Sequence, residues 1–151
     1  MILLLLAALL FGAQDEIYEG DPVAGKKVYA NEGCAICHKI AGEGSDLGPD
    51  LSHIGVRSAA YIKLSIRDPN ADVSPVYRGV TVTTTSGATV RGILLAESAS
   101  TLELRDMSGK RRTFRKSEIK SVRREPGSLM PAYVMPATDL DNLVAYLKEK
   151  V

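Results

Sequence analysis

Apolar and polar positions along this chain show two periodicities, one typical of helices and one typical of strands. The stretch 20–33 predicts a helix that Asp21 caps and Pro22 begins, since proline suits a first helical turn, and that Gly33 ends. A partial helical period runs through its apolar positions, which are Val23, the stem of Lys27, Val28 and Ala30. The pattern therefore predicts a short amphipathic helix at the start of the folded region.

A second helix is predicted over residues 57–69. Ser58 is its candidate N-cap and Pro69 its stop signal. The apolar positions of this helix are Tyr61, Ile62, Leu64 and Ile66. Helical periodicity returns after Pro126, and the last helix has a capping-box-like start formed by Thr138 and Asp141. One face of that helix is apolar and consists of Leu140, Leu143, Val144 and Leu147.

Between these helices the period changes to two, and the segment is rich in threonine and valine. Five strands are predicted there, over residues 78–84, 88–95, 101–106, 111–116 and 118–124. The side chains expected to face inward are Val80, Val82, Val90, Ile93, Leu102, Leu104, Phe114, Ile119 and Val122. Five short antiparallel strands predict a small curled sheet or SH3-like barrel.

The first residues, MILLLLAALLFGAQ, form an apolar run that ends in small residues, and no lysine or arginine precedes it. The run is typical of an export signal and is shorter than the ~20 apolar residues of a membrane-spanning helix. We therefore expect a periplasmic or otherwise exported protein, with membrane contact only through this N-terminus. The predicted divisions are 1–13 (signal peptide or N-terminal anchor), 14–75 (first helical part), 76–125 (β-rich insertion) and 126–151 (second helical part).

Charge follows the same divisions. Residues 76–125 contain 11 Lys and Arg against 5 Asp and Glu, a net charge of +6, and the rest of the chain has a net charge of −5. The chain has no tryptophan, and the basic segment has one phenylalanine and one tyrosine for stacking on bases. We therefore expect no nucleic-acid partner, although an Sm-like sheet with this charge would superficially fit RNA.

Both cysteines lie beside a histidine in GCAICHKI, as Cys34, Cys37 and His38. A redox dithiol of the thioredoxin type needs a βαβ context, which the pattern lacks. A structural zinc site needs four ligands, and His53 is the one further good candidate. A disulfide between positions this close would be strained. Cys-x-x-Cys-His is the attachment motif of c-type haem, so the sequence predicts one haem c bound covalently through both cysteines, with His38 as an iron ligand.

The second iron ligand has four candidates, His53, Met107, Met130 and Met135. Met107 lies in a predicted hairpin turn. Met130 has a longer loop before the last helix than Met135 and is followed by a proline, which places it outside regular core packing. Met130 is therefore the predicted second metal ligand. Met135, His53 and an iron with an open position remain alternatives.

Four motifs, in this order, resemble those of class I cytochromes c: GKKVYANEGCAICHKI, GPDL, SLMPAY and LDNLVAYLKEK. The resemblance implies a mainly α cytochrome c fold and covers the chain except for its N-terminus and the inserted strands. Two further stretches, IRDPNADVSPVYRGV and IKSVRREPGSLMP, resemble a haem-binding cytochrome domain of planctomycete and verrucomicrobial proteins, which is often attached to large exported dehydrogenases. That group also has a β-rich segment before its methionine loop.

The resemblance also implies roles for individual residues. It assigns the carbonyl of Pro49 as the acceptor for Nδ1 of His38, an arrangement that fixes the tautomer of a ligand histidine. It places Leu51 against the haem and makes Arg57 and Tyr61 partners of the haem propionates, because a buried carboxylate needs such donors.

These predictions point to an electron carrier rather than an enzyme. The predicted function is one-electron transfer between a dehydrogenase and another redox protein by an exported cytochrome with His/Met-ligated haem. The basic β insertion is a candidate docking surface for an acidic dehydrogenase, oxidase or cytochrome. The alternative is a haem enzyme or sensor with an open or weakly ligated iron, for which His53 is the available distal group.

Overall fold

The computed structural model of the protein describes residues 19–151, so the predicted signal at residues 1–13 lies outside the described residues. Three α-helices lie in the described part: α1 (Pro22–Asn31), α2 (Ala59–Arg67) and α3 (Ala137–Lys148). Its strands are β1 (Lys39–Ile40), β2 (Glu43–Gly44), β3 (Arg78–Thr84), β4 (Thr89–Glu97), β5 (Thr101–Asp106), β6 (Arg111–Arg115) and β7 (Ile119–Ser128). Short 3-10 turns lie at Cys34–Ile36, Ile54–Val56, Pro75–Tyr77 and Lys116–Glu118. Within residues 19–151, no helix combines the length and the apolar character needed to cross a membrane.

Helix α1 begins where the sequence predicts. Asp21 is the N-cap, its carboxylate accepts a hydrogen bond from the backbone N–H of Val23, and Pro22 is the first helical residue. Of the predicted apolar positions only Val28 packs against the helical core; the side chain of Val23 is 68% exposed, and the helix buries Gly25 and Tyr29. Hydropathy alone missed this face because a glycine and a tyrosine form the contact with the neighbouring helix.

Helix α2 confirms its predicted cap. The hydroxyl of Ser58 accepts a hydrogen bond from the backbone N–H of Tyr61, which satisfies one of the free donors of the first turn. The helix ends at Arg67, two residues before Pro69. Its buried residues are Ala59, Ile62 and Ile66, whereas Leu64 is half exposed.

Helix α3 begins at Ala137, and its predicted capping box of Thr138 and Asp141 is wrong. Pro136 occupies the cap position in extended backbone (φ −52°, ψ 146°) and provides no side-chain hydrogen bond. Because proline fixes the backbone at this point, the first turn starts before Thr138, and Asp141 instead pairs with Lys63 at 2.6 Å. The predicted apolar face is confirmed: Leu140, Leu143, Val144 and Leu147 are all buried.

The helical core centres on the contact between α1 and α3. A Cβ atom added to Gly25 would lie 1.9 Å from the carbonyl oxygen of Asn142, so only glycine permits this close approach. Beside it the rings of Tyr29 and Tyr146 pack with centroids 5.6 Å apart, a normal separation for an aromatic pair. Side chains from α2 complete the core, and Met130, Tyr133 and Met135 pack against it.

The five predicted strands are confirmed and form one antiparallel sheet in the order β6-β5-β4-β3-β7. Strand β7 continues three residues past Glu125, the predicted end of the insertion, to Ser128. In the ladder Ser128 lies opposite Arg78, the first residue of β3. The chain therefore enters the sheet and leaves it at neighbouring positions.

The inner face of the sheet has a small apolar core of its own. Its fully buried members are Val80, Val82, Leu102 and Leu104, and the side chains packed around them are Val90, Leu94, Phe114, Ile119 and Val122. Ile93, predicted to face inward with these residues, is buried but lies outside this cluster, opposite Gly79 and Arg105 in the ladders. The alternating pattern therefore predicted the sheet core except at two neighbouring positions of β4, where Leu94 rather than Ile93 packs against the cluster.

The sheet makes two further contacts with the helical body, one far from its entry point and one beside it. Arg105 of β5 pairs with Asp46 at 3.7 Å, in the loop that follows the β1–β2 hairpin. A Cβ atom added to Gly79 would lie 2.5 Å from Cδ2 of Leu129, so β3 approaches the chain closely just before Met130. These contacts hold the inserted sheet against the part of the body that contains the candidate site.

Candidate haem site

A tight turn presents the two cysteines and the histidine. Gly33 has φ of +70°, a conformation that glycine adopts without strain, and it ends α1 immediately before the 3-10 turn Cys34–Ile36. The carbonyl of Cys34 then accepts hydrogen bonds from the backbone N–H groups of Cys37, at 3.2 Å, and of His38, at 2.9 Å. The turn thus fixes the backbone that carries all three side chains.

The imidazole of His38 is held in one tautomer. Its Nδ1 lies 2.8 Å from the carbonyl oxygen of Pro49, and because a carbonyl can only accept, Nδ1 carries the hydrogen. Burial lowers the pKa of His38, and the hydrogen bond to Pro49 partly offsets this. The imidazole is therefore neutral at neutral pH, and the lone pair of Nε2 is available to a metal.

The hydroxyl of Tyr29 links the backbone of His38 to helix α1. It donates a hydrogen bond to the backbone carbonyl of His38 at 3.5 Å. Burial raises the pKa of Tyr29 to about 12, so this phenol stays protonated and remains a donor. His38 is therefore held by α1 through its backbone carbonyl and by Pro49 through its imidazole.

A cavity of about 580 Å³ opens beside His38. The loop after the haem motif, α2, the segment between α2 and β3, and the chain after β7 form its walls, and most of the lining is apolar. Seven of the predicted site residues line it: Cys37, His38, Pro49, Leu51, Arg57, Tyr61 and Met130. Cys34, the eighth, is not part of the lining and instead packs on the helical core, one turn before His38.

Arg57 and Tyr61 lie together on one side of this cavity. The guanidinium carbon of Arg57 is 5.2 Å from the centroid of the Tyr61 ring, within the range of a cation–π contact. The hydroxyl of Tyr61 donates to Asp72 at 3.4 Å. Sequence reasoning missed Asp72, because nothing in its local pattern indicates that the segment after α2 folds back over the cavity.

Apolar residues of the lining were also missed as site residues. Ile62, Ile66 and Leu147 were predicted only as helical core, and Leu129 was not singled out. Their helical spacing marks them as buried, but a buried side chain can contact another helix or a cofactor, and the spacing is the same in both cases.

The four candidate second ligands differ in their relation to the cavity. Met130 and His53 line it, and His53 is exposed to solvent. Met135 packs against the helical core and is absent from the lining. Met107 lies in the turn after β5 and is 43% exposed. The cavity therefore brings together His38 and Met130, but not His38 and Met135.

The thiols have the wrong electrostatics for a redox dithiol. Burial raises the pKa of Cys34 to about 11 and also raises the pKa of Cys37. A redox dithiol depends on a thiolate with a lowered pKa. Within residues 19–151, no group of three or more His, Cys, Asp or Glu side chains is placed to hold a metal ion.

Comparison with known protein families agrees with this geometry. Residues 22–89 match the family model of cytochrome c. This match supports a cytochrome c. It covers slightly less than half of the chain and includes α1, the cysteine turn, α2 and the first strand of the sheet. No curated protein matches the chain.

The cofactor of the cytochrome c family is haem c, covalently attached through cysteines, and Cys34 and Cys37 have the spacing of its attachment motif. The site fits this group, because a largely apolar cavity lies beside a neutral histidine with a free Nε2. The match likewise supports a haem-binding electron carrier, since cytochrome c domains typically transfer electrons and do not catalyse bond chemistry.

Proposed function

We propose that the protein is an exported class I cytochrome c that carries one electron on a haem ligated by His38 and Met130. The observation that carries this proposal is that His38, with Nδ1 bonded to Pro49, and Met130 line the same cavity. Haem c bound there supplies a one-electron iron couple, and methionine ligation raises its potential. The polypeptide binds the haem, excludes water from it and fixes the two ligand side chains.

Three features support Met130 over the other candidates. Met135 lies two residues before α3 and, unlike Met130, is absent from the cavity lining. Met107 lies in the β5–β6 turn of the sheet. His53 also lines the cavity, but it lies in the same loop as Pro49. That loop holds His38, the first ligand, so His53 is a poorer candidate for the second.

Arg57 and Tyr61 are the proposed partners of the haem propionates. Both line the cavity; the guanidinium of Arg57 can bind a carboxylate by charge-assisted hydrogen bonds, and the phenol of Tyr61 is a neutral hydroxyl donor. Leu51, also in the lining, is the proposed apolar contact on the haem. In the structure the single phenolic hydrogen of Tyr61 is donated to Asp72, so a propionate would compete with Asp72 for it.

Export to the periplasm or beyond is part of the proposal. Its support is the apolar run at residues 1–13, which ends in the small residues Gly12 and Ala13. In this proposal the N-terminus is the only segment that contacts a membrane. Fractionation of cells that produce the full chain tests the location, and recovery of the haem protein in the cytoplasm would contradict it.

We propose that the inserted sheet is an SH3-like subdomain that docks an acidic redox partner. The strand order β6-β5-β4-β3-β7 and the 3-10 turn before β7 support the SH3-like assignment. All five acidic side chains of the insertion are paired within it: Glu97 with Lys116 and Arg124, Glu103 with Arg111, Asp106 with Arg112, Glu118 with Arg115 and Glu125 with Arg123. Four exposed basic side chains of the insertion form no ion pair with any described residue: Arg78, Arg91, Lys110 and Lys120. In this proposal they are the charges available to an acidic partner.

Absorbance spectroscopy of the oxidised holoprotein tests the ligand assignment. A methionine–iron bond gives a weak far-red band, which we expect in the wild type and in the Met135→Ala control but not in Met130→Ala. Persistence of the band in Met130→Ala would overturn the assignment. Rapid carbon monoxide binding by the reduced wild type would instead favour the enzyme or sensor function.

A further inference from the structure

Backbone hydrogen bonds anchor the segment around Met130 on both sides. Upstream, the backbone N–H of Ser128 donates to the side-chain oxygen of Asn70 at 2.9 Å. Downstream, the backbone N–H of Tyr133 donates to the carbonyl of Ile66 at 3.0 Å. Both acceptors belong to α2 or to the turn that follows it. The four residues between these anchors therefore have little freedom to move away from α2.

A second hydrogen bond continues from the upstream anchor to Met130 itself. The hydroxyl of Ser128 accepts the backbone N–H of Met130 at 3.0 Å. Asn70 thus fixes the backbone of Ser128, and the side chain of Ser128 fixes the backbone of Met130. The two bonds form a continuous connection from the end of α2 to the methionine.

The packing around this connection is close. A Cβ atom added to Gly127 would lie 2.4 Å from Oδ1 of Asn70, so the end of β7 sits directly against that amide. On its other side Ser128 lies opposite Arg78 in the ladder with β3. The inserted sheet therefore holds Ser128 from one side while Asn70 holds it from the other.

We infer that Asn70 and Ser128 are positioning residues for Met130, and that the inserted sheet fixes the methionine loop through Ser128. The inference rests on the proposed ligation of the haem by His38 and Met130. A ligand whose backbone is held in place loses less freedom when it binds the metal and is harder for a competing ligand to displace. Asn70 is not part of the cavity lining, whereas Ser128 lies at its edge beside Met130, and in this scheme both act through the backbone of Met130.

Imidazole competition measures this effect directly. Imidazole is added to the oxidised holoprotein at fixed pH and low temperature, and loss of the far-red methionine–iron band reports displacement of Met130. We expect Asn70→Ala and Ser128→Ala each to raise the apparent imidazole affinity about two- to fivefold, the effect of losing one hydrogen bond of ordinary net strength. Asn70→Asp and Ser128→Thr retain the accepting oxygen and should restore affinity to near the wild-type value.

Ser121→Ala is the matched control, because Ser121 is an exposed serine of the same strand β7. Wild-type imidazole affinity in Asn70→Ala and Ser128→Ala, with the band present, would overturn the inference and leave the ligand assignment intact. A lower unfolding temperature in these variants without a change in imidazole affinity would also overturn it, because it would show a structural role only. Persistence of the band in Met130→Ala would instead refute the proposed ligation itself.

Discussion

Gly48 lies directly against the imidazole of His38. A Cβ atom on Gly48 would be 2.7 Å from Cε1 and 2.9 Å from Nδ1 of that ring, closer than real Cβ atoms approach other atoms. The backbone N–H of Gly48 also donates to the carbonyl of Cys37 at 2.6 Å, so the glycine has little room to retreat. The absence of a side chain at Gly48 is therefore a condition for the bond between His38 and Pro49.

Gly48→Ala should displace the imidazole of His38. The added methyl group would force the ring away from Pro49, and overpacking of this kind costs about 1–3 kcal/mol of unfolding free energy. We expect a lower denaturant midpoint and an altered haem spectrum in the holoprotein. Pro49→Ala is the control, because it keeps the accepting carbonyl. A wild-type spectrum and midpoint in Gly48→Ala would contradict the close contact.

Gly25→Ala should separate α1 from α3. The new Cβ atom would meet the carbonyl of Asn142 at 1.9 Å and Cβ of Tyr146 at 2.8 Å, and a backbone atom cannot rotate away as a side chain can. We expect a loss of more than about 2 kcal/mol of unfolding free energy, although alanine favours an isolated helix over glycine by about 1 kcal/mol. Denaturant unfolding of the holoprotein measures the loss. Lys26→Ala, on the exposed side of the same helix, should stay near the wild-type value.

Asp106 should make the inserted sheet sensitive to acid. Hydrogen bonds from Ser108 and Arg112 hold the pKa of Asp106 well below its ordinary value. Because the folded pKa is lower than the unfolded one, the stabilisation is complete above the unfolded pKa of about 3.9 and is lost as pH falls towards the folded pKa. Asp106→Asn should therefore be less stable at neutral pH, and the difference from the wild type should shrink in acid.

Urea unfolding from neutral pH down to about pH 3 measures this difference, since it spans the ordinary aspartate pKa. Glu43→Gln is the control, because Glu43 is an exposed carboxylate outside this hydrogen-bonded cluster. A constant difference between Asp106→Asn and the wild type at every pH would contradict the linkage.

Electron transfer to an acidic redox protein should depend on the unpaired basic side chains of the insertion. Replacing Lys110 and Lys120 together by alanine should slow the bimolecular rate severalfold at low salt, because these charges steer encounter, and the difference should fade at high salt. Stopped-flow kinetics at several ionic strengths measures the rate. A double Lys26→Ala and Lys27→Ala variant of α1 is the control. A wild-type rate that does not change with salt would refute electrostatic docking by the insertion.

Local patterns predicted most of the fold. The helix caps at Asp21 and Ser58 depend on side chains that bond their own neighbours, so the sequence is sufficient to find them. The five strands depend on an alternation that a sheet with one buried face imposes. Most of the α1 face was predicted wrongly, because a glycine forms its contact with α3. The start of α3 was predicted wrongly, because a proline in extended backbone takes the cap position.

The sequence by itself determined the haem attachment motif at Cys34, Cys37 and His38, because these residues lie within one turn and their chemistry follows from their spacing. Only the tertiary structure decided which distant residues share the cavity with them. Met130 lies there and Met135 does not, and the hydrogen bond from Ser128 to Asn70 holds the end of β7 beside α2. That contact joins residues 58 positions apart, and no local pattern encodes a meeting at such a separation.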